Sequence, residues 1–243
     1  MVSYELSRFA ESIALMSYTK FDWSTAPLSD IRCPLFTGAA YTLVVLCWYF
    51  SGGAGPSPEQ MAKRDVQLKP LVAVHNLILC LGSLAMFVGC AYEMQRRTLA
   101  ESSFDWFFCE APTTKAIGPL FFWSYLYYLS KYYELIDTLL QLMRGRAPPH
   151  FALHVYHHAC VMMMSWAWCE YVQTLQFGGL LFNTAVHVVM YLYFFLRVTV
   201  GPPWWKKYVT MFQIIQVSES KRSKSKQLRP ARSRVAERAA GVS

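Results

Sequence analysis

The chain has 243 residues, 54% of them hydrophobic and 16% charged, with a formal net charge of +8. Soluble domains usually carry about 25% charged residues, so this composition excludes an ordinary soluble enzyme. The 15 Tyr, 16 Phe and 8 Trp suit a bilayer and its interfaces. From Ser218 onward eight Lys and Arg stand against two acidic residues, so +6 of the +8 belongs to a tail. That tail suits anionic lipid headgroups or plain solvation. Nucleic acid is excluded as a partner for a membrane-embedded body.

Residues 1–33 read as a non-cytoplasmic N-terminal segment, 34–217 as a membrane domain, and 218–243 as a basic, disordered tail. Apolar runs near the ~20 residues that cross a bilayer predict helices at 34–53, 70–92, 117–141, 151–169 and 175–196. The fold class expected is an all-α, polytopic transmembrane protein with five clear spans and a partial sixth. Gly52 to Lys69, Glu93 to Lys115 and Arg144 to His150 read as the first three connecting loops. Lys and Arg are concentrated in the first, third and fifth loops, which places the N-terminus on the non-cytoplasmic side. Cys33 and Cys109 lie outside the spans and are the only plausible disulfide partners.

The second span contains His75 near its start, read as structural. The third carries Lys131, Glu134, Asp137 and Thr138, whose offsets keep them on one broad side of a helix. Two carboxylates and an ammonium at membrane depth need partners, either along the helix or among neighbouring imidazoles. An ion-pair network that only joins helices and a direct chemical role are both compatible with that pattern. The fourth span opens with His154, His157 and His158, three imidazoles on one helical face. In the fifth, Asn183, His187 and Tyr191 recur every four residues, with Tyr193 on another face. Asn183 is placed to select the His187 tautomer. The partial sixth, Tyr208 to Val217, is only ten residues, ~15 Å of helix. It holds Thr210, Gln213 and Gln216 at helical spacing, and its amides require hydrogen-bond partners.

Four motifs in order resemble those of the very-long-chain fatty acid elongase family, the membrane 3-ketoacyl-CoA synthases. They are Lys131-x-x-Glu134-x-x-Asp137-Thr138, His154-x-x-His157-His158, His187-x-x-Met190-Tyr191-x-Tyr193-Phe194 and Thr210-x-x-Gln213-x-x-Gln216. Phe194 replaces a family Tyr. After Gln216 the continuation of the sixth helix and the seventh helix expected for the family give way to the basic tail, so the pattern is cut short. The resemblance implies a seven-helix barrel around an acyl tunnel in the endoplasmic reticulum membrane, with a lumenal N-terminus. It further implies condensation of malonyl-CoA with a long-chain acyl-CoA to give 3-ketoacyl-CoA, CoA and carbon dioxide, with no metal or other cofactor. Its product would feed reductase and dehydratase partners of the elongation cycle.

On that reading His157 is the expected nucleophile, because neutral imidazole attacks a thioester to give an acyl-imidazole. His158 and His187 orient it, shuttle protons or stabilise the oxyanion. His154, with Glu134 or Asp137, sets ring tautomers, and Lys131 balances the carboxylates or meets a phosphate or thioester oxygen. Thr138, Asn183, Tyr191, Gln213 and Gln216 complete the supporting polar network. Cys160, one turn from His157, is a rival nucleophile, though a thiol in apolar surroundings is usually inert. Two other readings compete: an inactive elongase relic or partner subunit, and an iron-dependent desaturase, which normally spreads its histidines over three boxes.

Overall fold

The structure, a computed structural model, describes residues 18–51, 56–148 and 150–205. Its helices are α1 (Arg32–Ser51), α2 (Pro58–Glu101), the single turn α3 (Asp105–Phe108), α4 (Pro119–Met143), α5 (Phe151–Tyr171) and α6 (Gln176–Thr199). Two 3-10 turns, Tyr18–Lys20 and Trp23–Thr25, precede them. Each of the five apolar runs is thus a helix, within a few residues of its expected bounds except for α2. The partial sixth span, with Gln213 and Gln216, and the basic tail lie outside the described residues.

Among the described helices α1, α2 and α6 are long and apolar enough to cross a membrane. Helices α4 and α5 fall short of that mark, so the expectation of five clear spans holds for three. The reason is local: α4 spends positions on Lys131, Glu134, Asp137 and several tyrosines, and α5 spends three on histidine. The residues that make a site also dilute the apolar signal of the helices that carry it.

Helix α2 departs most from its predicted bounds. It runs 44 residues, about 66 Å at 1.5 Å per residue, roughly twice the ~30 Å hydrocarbon core. Its start is a capping box. The Ser57 hydroxyl accepts from Gln60 N, the Gln60 side chain accepts from Ser57 N at 2.9 Å, and Pro58 occupies the first turn. The stretch expected as a loop is therefore a solvated extension of the helix. At the other end Arg97 holds Glu101 at 2.7 Å and Glu110 at 2.6 Å, with its guanidinium 4.3 Å from the Trp106 ring.

Helix α4 is the hub, packing against α1, α2 and α5, while α6 lies along α2. Contact between α4 and α6 is made mainly through long side chains, which is what places polar groups between them. Trp123 of α4 lies so close over Gly89 of α2 that a Cβ there would stand 2.1 Å from the indole.

Residues 18–31 close one end of the bundle. Phe21 and Trp23 are buried against Tyr125 and Tyr128. Backbone bonds join Trp23 N to Ala116 O and Gly118 N to Phe21 O. Gly118, at φ +87°, takes the left-handed turn that a Cβ disfavours. Tyr125, Tyr128 and Trp166 donate to the backbone oxygens of Pro27, Leu28 and Ser29. The segment is thus docked on the membrane domain and not a separate body. Cys33 and Cys109 are both free thiols, so the suggested disulfide is not formed.

Candidate active site

The polar residues of α4 lie on one broad side of the helix but reach different neighbours. Lys131 and Glu134 are 3% and 5% exposed and form an ion pair of 2.7 Å. The Lys131 ammonium also donates to Asn183 Oδ1 at 3.2 Å and lies 4.0 Å over the Tyr127 ring. Tyr127 donates its hydroxyl to the same Asn183 oxygen at 3.0 Å. His187 Nδ1 stands 3.4 Å from Glu134 Oε1. The expectation that Asn183 selects the His187 tautomer is corrected: the amide serves Lys131 and Tyr127, and the carboxylate facing His187 is Glu134. A carboxylate only accepts, so a proton on Nδ1 leaves Nε2 as the free lone pair of His187.

Asp137 turns toward α2 and α6. Its Oδ1 is 2.8 Å from His75 Nε2, and its Oδ2 accepts the Tyr191 hydroxyl at 2.6 Å. His75, read as merely structural and remote from the motifs, therefore belongs to this cluster. The signal was available, since an imidazole at membrane depth is costly wherever it occurs.

Thr138 turns the other way, toward α1 and α5. Its buried hydroxyl is 2.8 Å from the Tyr41 hydroxyl and 3.0 Å from His154 Nε2. His154 is thus held by Thr138, and not by Glu134 or Asp137. Tyr41 had no motif to announce it. It also lines an open apolar cavity of about 490 Å³ between α1 and α4, with Phe36, Ala40 and Leu135 among the walls.

The three histidines of α5 remain together. Ring centroids are 4.5 Å apart for His154 and His158, and 5.8 Å for His157 and His158. His154 and His158 are half-buried, and His157 is exposed. Thr138 joins α4 to His154 at the start of α5, and Lys131, Glu134 and Asp137 join α4 to Asn183, His187 and Tyr191 of α6, so side chains of three helices make one polar network around α4. Phe194 falls outside it, in a small apolar cluster with Leu79, Cys80 and Tyr191.

Such an arrangement suits a neutral imidazole that acts as nucleophile or base while fixed donors and a buried ammonium meet developing negative charge. Comparison with known proteins points the same way. The family model described as ELO, the GNS1/SUR4 family, matches residues 26–219. The chain is similar to fatty acid elongase sre1 of Dictyostelium discoideum, at 32% identity over 84% of this chain and 74% of that one. It is similar to fatty acid elongase A of the same organism, at 32% over 81% of this chain and 68% of that one. Over a shorter stretch, 38% of this chain and 34% of the relative, it is 42% identical to very long chain fatty acid elongase 7 of Rattus norvegicus. Relatives matched over most of this chain are spanned over 53–75% of their length, several over less than two thirds.

Proposed function

Given that this chain belongs to the ELO (GNS1/SUR4) family of fatty acid elongases, we propose that it condenses malonyl-CoA with a long-chain acyl-CoA. His157 attacks the thioester carbonyl, an acyl-imidazole forms, and CoA leaves as thiolate and takes up a proton. Malonyl-CoA then loses carbon dioxide, and the carbanion so made attacks the acyl carbonyl. Carbon–carbon bond formation expels the imidazole and leaves 3-ketoacyl-CoA. No electrons are exchanged with a carrier, so the chemistry asks for no redox cofactor.

The observation that carries this reading is the polar network around α4, where Lys131, Glu134 and His187 meet on one side and Thr138 holds His154 of the three-histidine run that includes His157 on the other. Glu134 Oε1 lies 3.4 Å from His187 Nδ1, and a proton on that nitrogen leaves Nε2 as the atom that can relay one. The Lys131 ammonium is buried and available to negative charge as it develops. Phe194 packs with Leu79, Cys80 and the Tyr191 ring, so this departure from the motif is an apolar contact on the edge of the polar network.

The distribution of Lys and Arg supports an N-terminus in the lumen of the endoplasmic reticulum, where the 3-ketoacyl product would pass to a reductase and a dehydratase. Microsomes containing the full chain, given radiolabelled malonyl-CoA and a panel of acyl-CoAs, should extend at least one primer by two carbons. Extension of none overturns the proposal. Intact-protein mass spectrometry after acyl-CoA alone should place the acyl group on His157, and an acyl group on Cys160 would overturn the mechanism while leaving the reaction standing. His157→Ala should abolish acylation, whereas Cys160→Ala should keep most of it.

A further inference from the structure

His75 lies outside every motif that marks the site, yet its ring is 3% exposed and its Nε2 meets Asp137 Oδ1 at 2.8 Å. The carboxylate can only accept, so Nε2 carries the proton and Nδ1 of the neutral ring is a bare acceptor. That Nδ1 is buried without a hydrogen-bond partner, although most buried side-chain polar atoms in folded proteins have one. A group kept only to tie α2 to α4 would not need a second, unsatisfied nitrogen. What the imidazole provides is a rigid N–H at a fixed reach. The ring plane is held by Tyr133, 4.9 Å away between centroids.

The path from His75 leads into the site. Asp137 passes its other oxygen to the Tyr191 hydroxyl at 2.6 Å. The Tyr191 ring meets the His187 ring edge-on, 5.4 Å between centroids and 84° between planes. Below this clamp, Leu79, Cys80 and Tyr191 form the apolar cluster that joins α2 to α6. The ionisable groups that face the carboxylate are His75 from α2, Tyr133 from α4 itself and Tyr191 from α6, with Tyr41 of α1 and His154 and His158 of α5 acting on it from the other side.

We propose that His75 is a positioning residue for the condensing centre: its Nε2–H aims the Asp137 carboxylate at Tyr191, and Tyr191 fixes the plane of His187. The activity side of this proposal rests on the elongase reading above. Its test uses two polar replacements in the full chain. In His75→Gln the amide nitrogen reaches the place of Nε2, so the donor survives. In His75→Asn the amide stands near the place of Nδ1, so a donor of the same polarity is misplaced.

Gln should keep kcat for chain extension close to the parent. Asn should lower kcat about 10- to 100-fold, the range seen when supporting partners of functional histidines are removed. KM for acyl-CoA should be unchanged in both, because the proposed role of His75 is to orient His187 and not to bind substrate. Equal activity in the two variants, or equal loss, overturns the proposal. If the parent extends no primer, the elongase reading fails on its own, and the clamp is decided by thermal unfolding of His75→Asn, Tyr191→Phe and the double variant. Losses that couple through Asp137 support it, and strictly additive losses overturn it.

Discussion

Replacing Lys131 by Met should be among the most damaging single changes in the chain. At 2.7 Å the Lys131–Glu134 pair has a Coulomb attraction of about 6 kcal/mol at an effective dielectric of ~20. Most of that offsets the desolvation of two groups that are 3% and 5% exposed. Removing the ammonium alone leaves the carboxylate buried, a situation that typically costs about 3–5 kcal/mol. For a chain of this size that is a fall of roughly 6–20 °C in melting temperature. The double variant Lys131→Met/Glu134→Leu removes both charges. Asn183 then still receives the Tyr127 hydroxyl at 3.0 Å, so the principal remaining loss is the acceptor facing His187 Nδ1, about 1–3 kcal/mol. The double variant should therefore melt above Lys131→Met. Thermal unfolding of the tagged protein in detergent, followed by size-exclusion chromatography, reads the order directly. A Lys131→Met protein that melts with the parent, or a double variant that falls by the sum of its two singles, would refute the argument that these groups form one compensated unit.

Two glycines of α2 should respond to alanine with opposite signs. Gly89→Ala drives a Cβ to 2.1 Å from the Trp123 indole and should destabilise, whereas a Cβ at Gly82 meets nothing within 4 Å, so Gly82→Ala should gain up to ~1 kcal/mol of helix propensity; melting temperatures of the pair decide it. Tyr41→Phe removes the hydroxyl 2.8 Å from Thr138 and should cost about 1 kcal/mol, while Thr138 keeps His154. Ser57→Ala breaks the capping box of α2 and should cost about 0.5–2 kcal/mol, visible as faster amide exchange in the first turns of that helix.

Much of the helix content was legible because apolar runs of bilayer length have few other uses. The extension of α2 was not. Its first turns are polar, and the Ser57–Gln60 box that starts it lies beside Pro56 and Pro58, residues that also mark loops. Helical spacing showed that Lys131, Glu134, Asp137 and Thr138 lie on one broad side, but not that this side is shared by neighbours in two directions. Asp137 is turned enough from Thr138 to face α2 and α6, while Thr138 faces α1 and α5. Which residue meets which depends on helix rotation and approach, and a single sequence carries neither. The same limit explains Asn183, correctly placed on the face of His187 yet bonded to Lys131 and Tyr127. Tyr41 and His75 carry no motif of their own, and both reach the network from helices that come earlier in the chain.

The wiring of α4 also has a clock in it. During synthesis Asp137 follows His75 by 62 residues, so that partner already exists when the carboxylate leaves the ribosome. Tyr191 is 54 residues further on and Asn183 is 52 beyond Lys131. At about 5–20 residues per second, α4 waits roughly 3–10 s for the acceptors and donors of α6. For that interval its ammonium and two carboxylates have one another, His75, and whatever of α5 has emerged. The pairing within α4 and the early clamp to α2 are therefore the partners its charges can have before α6 is made.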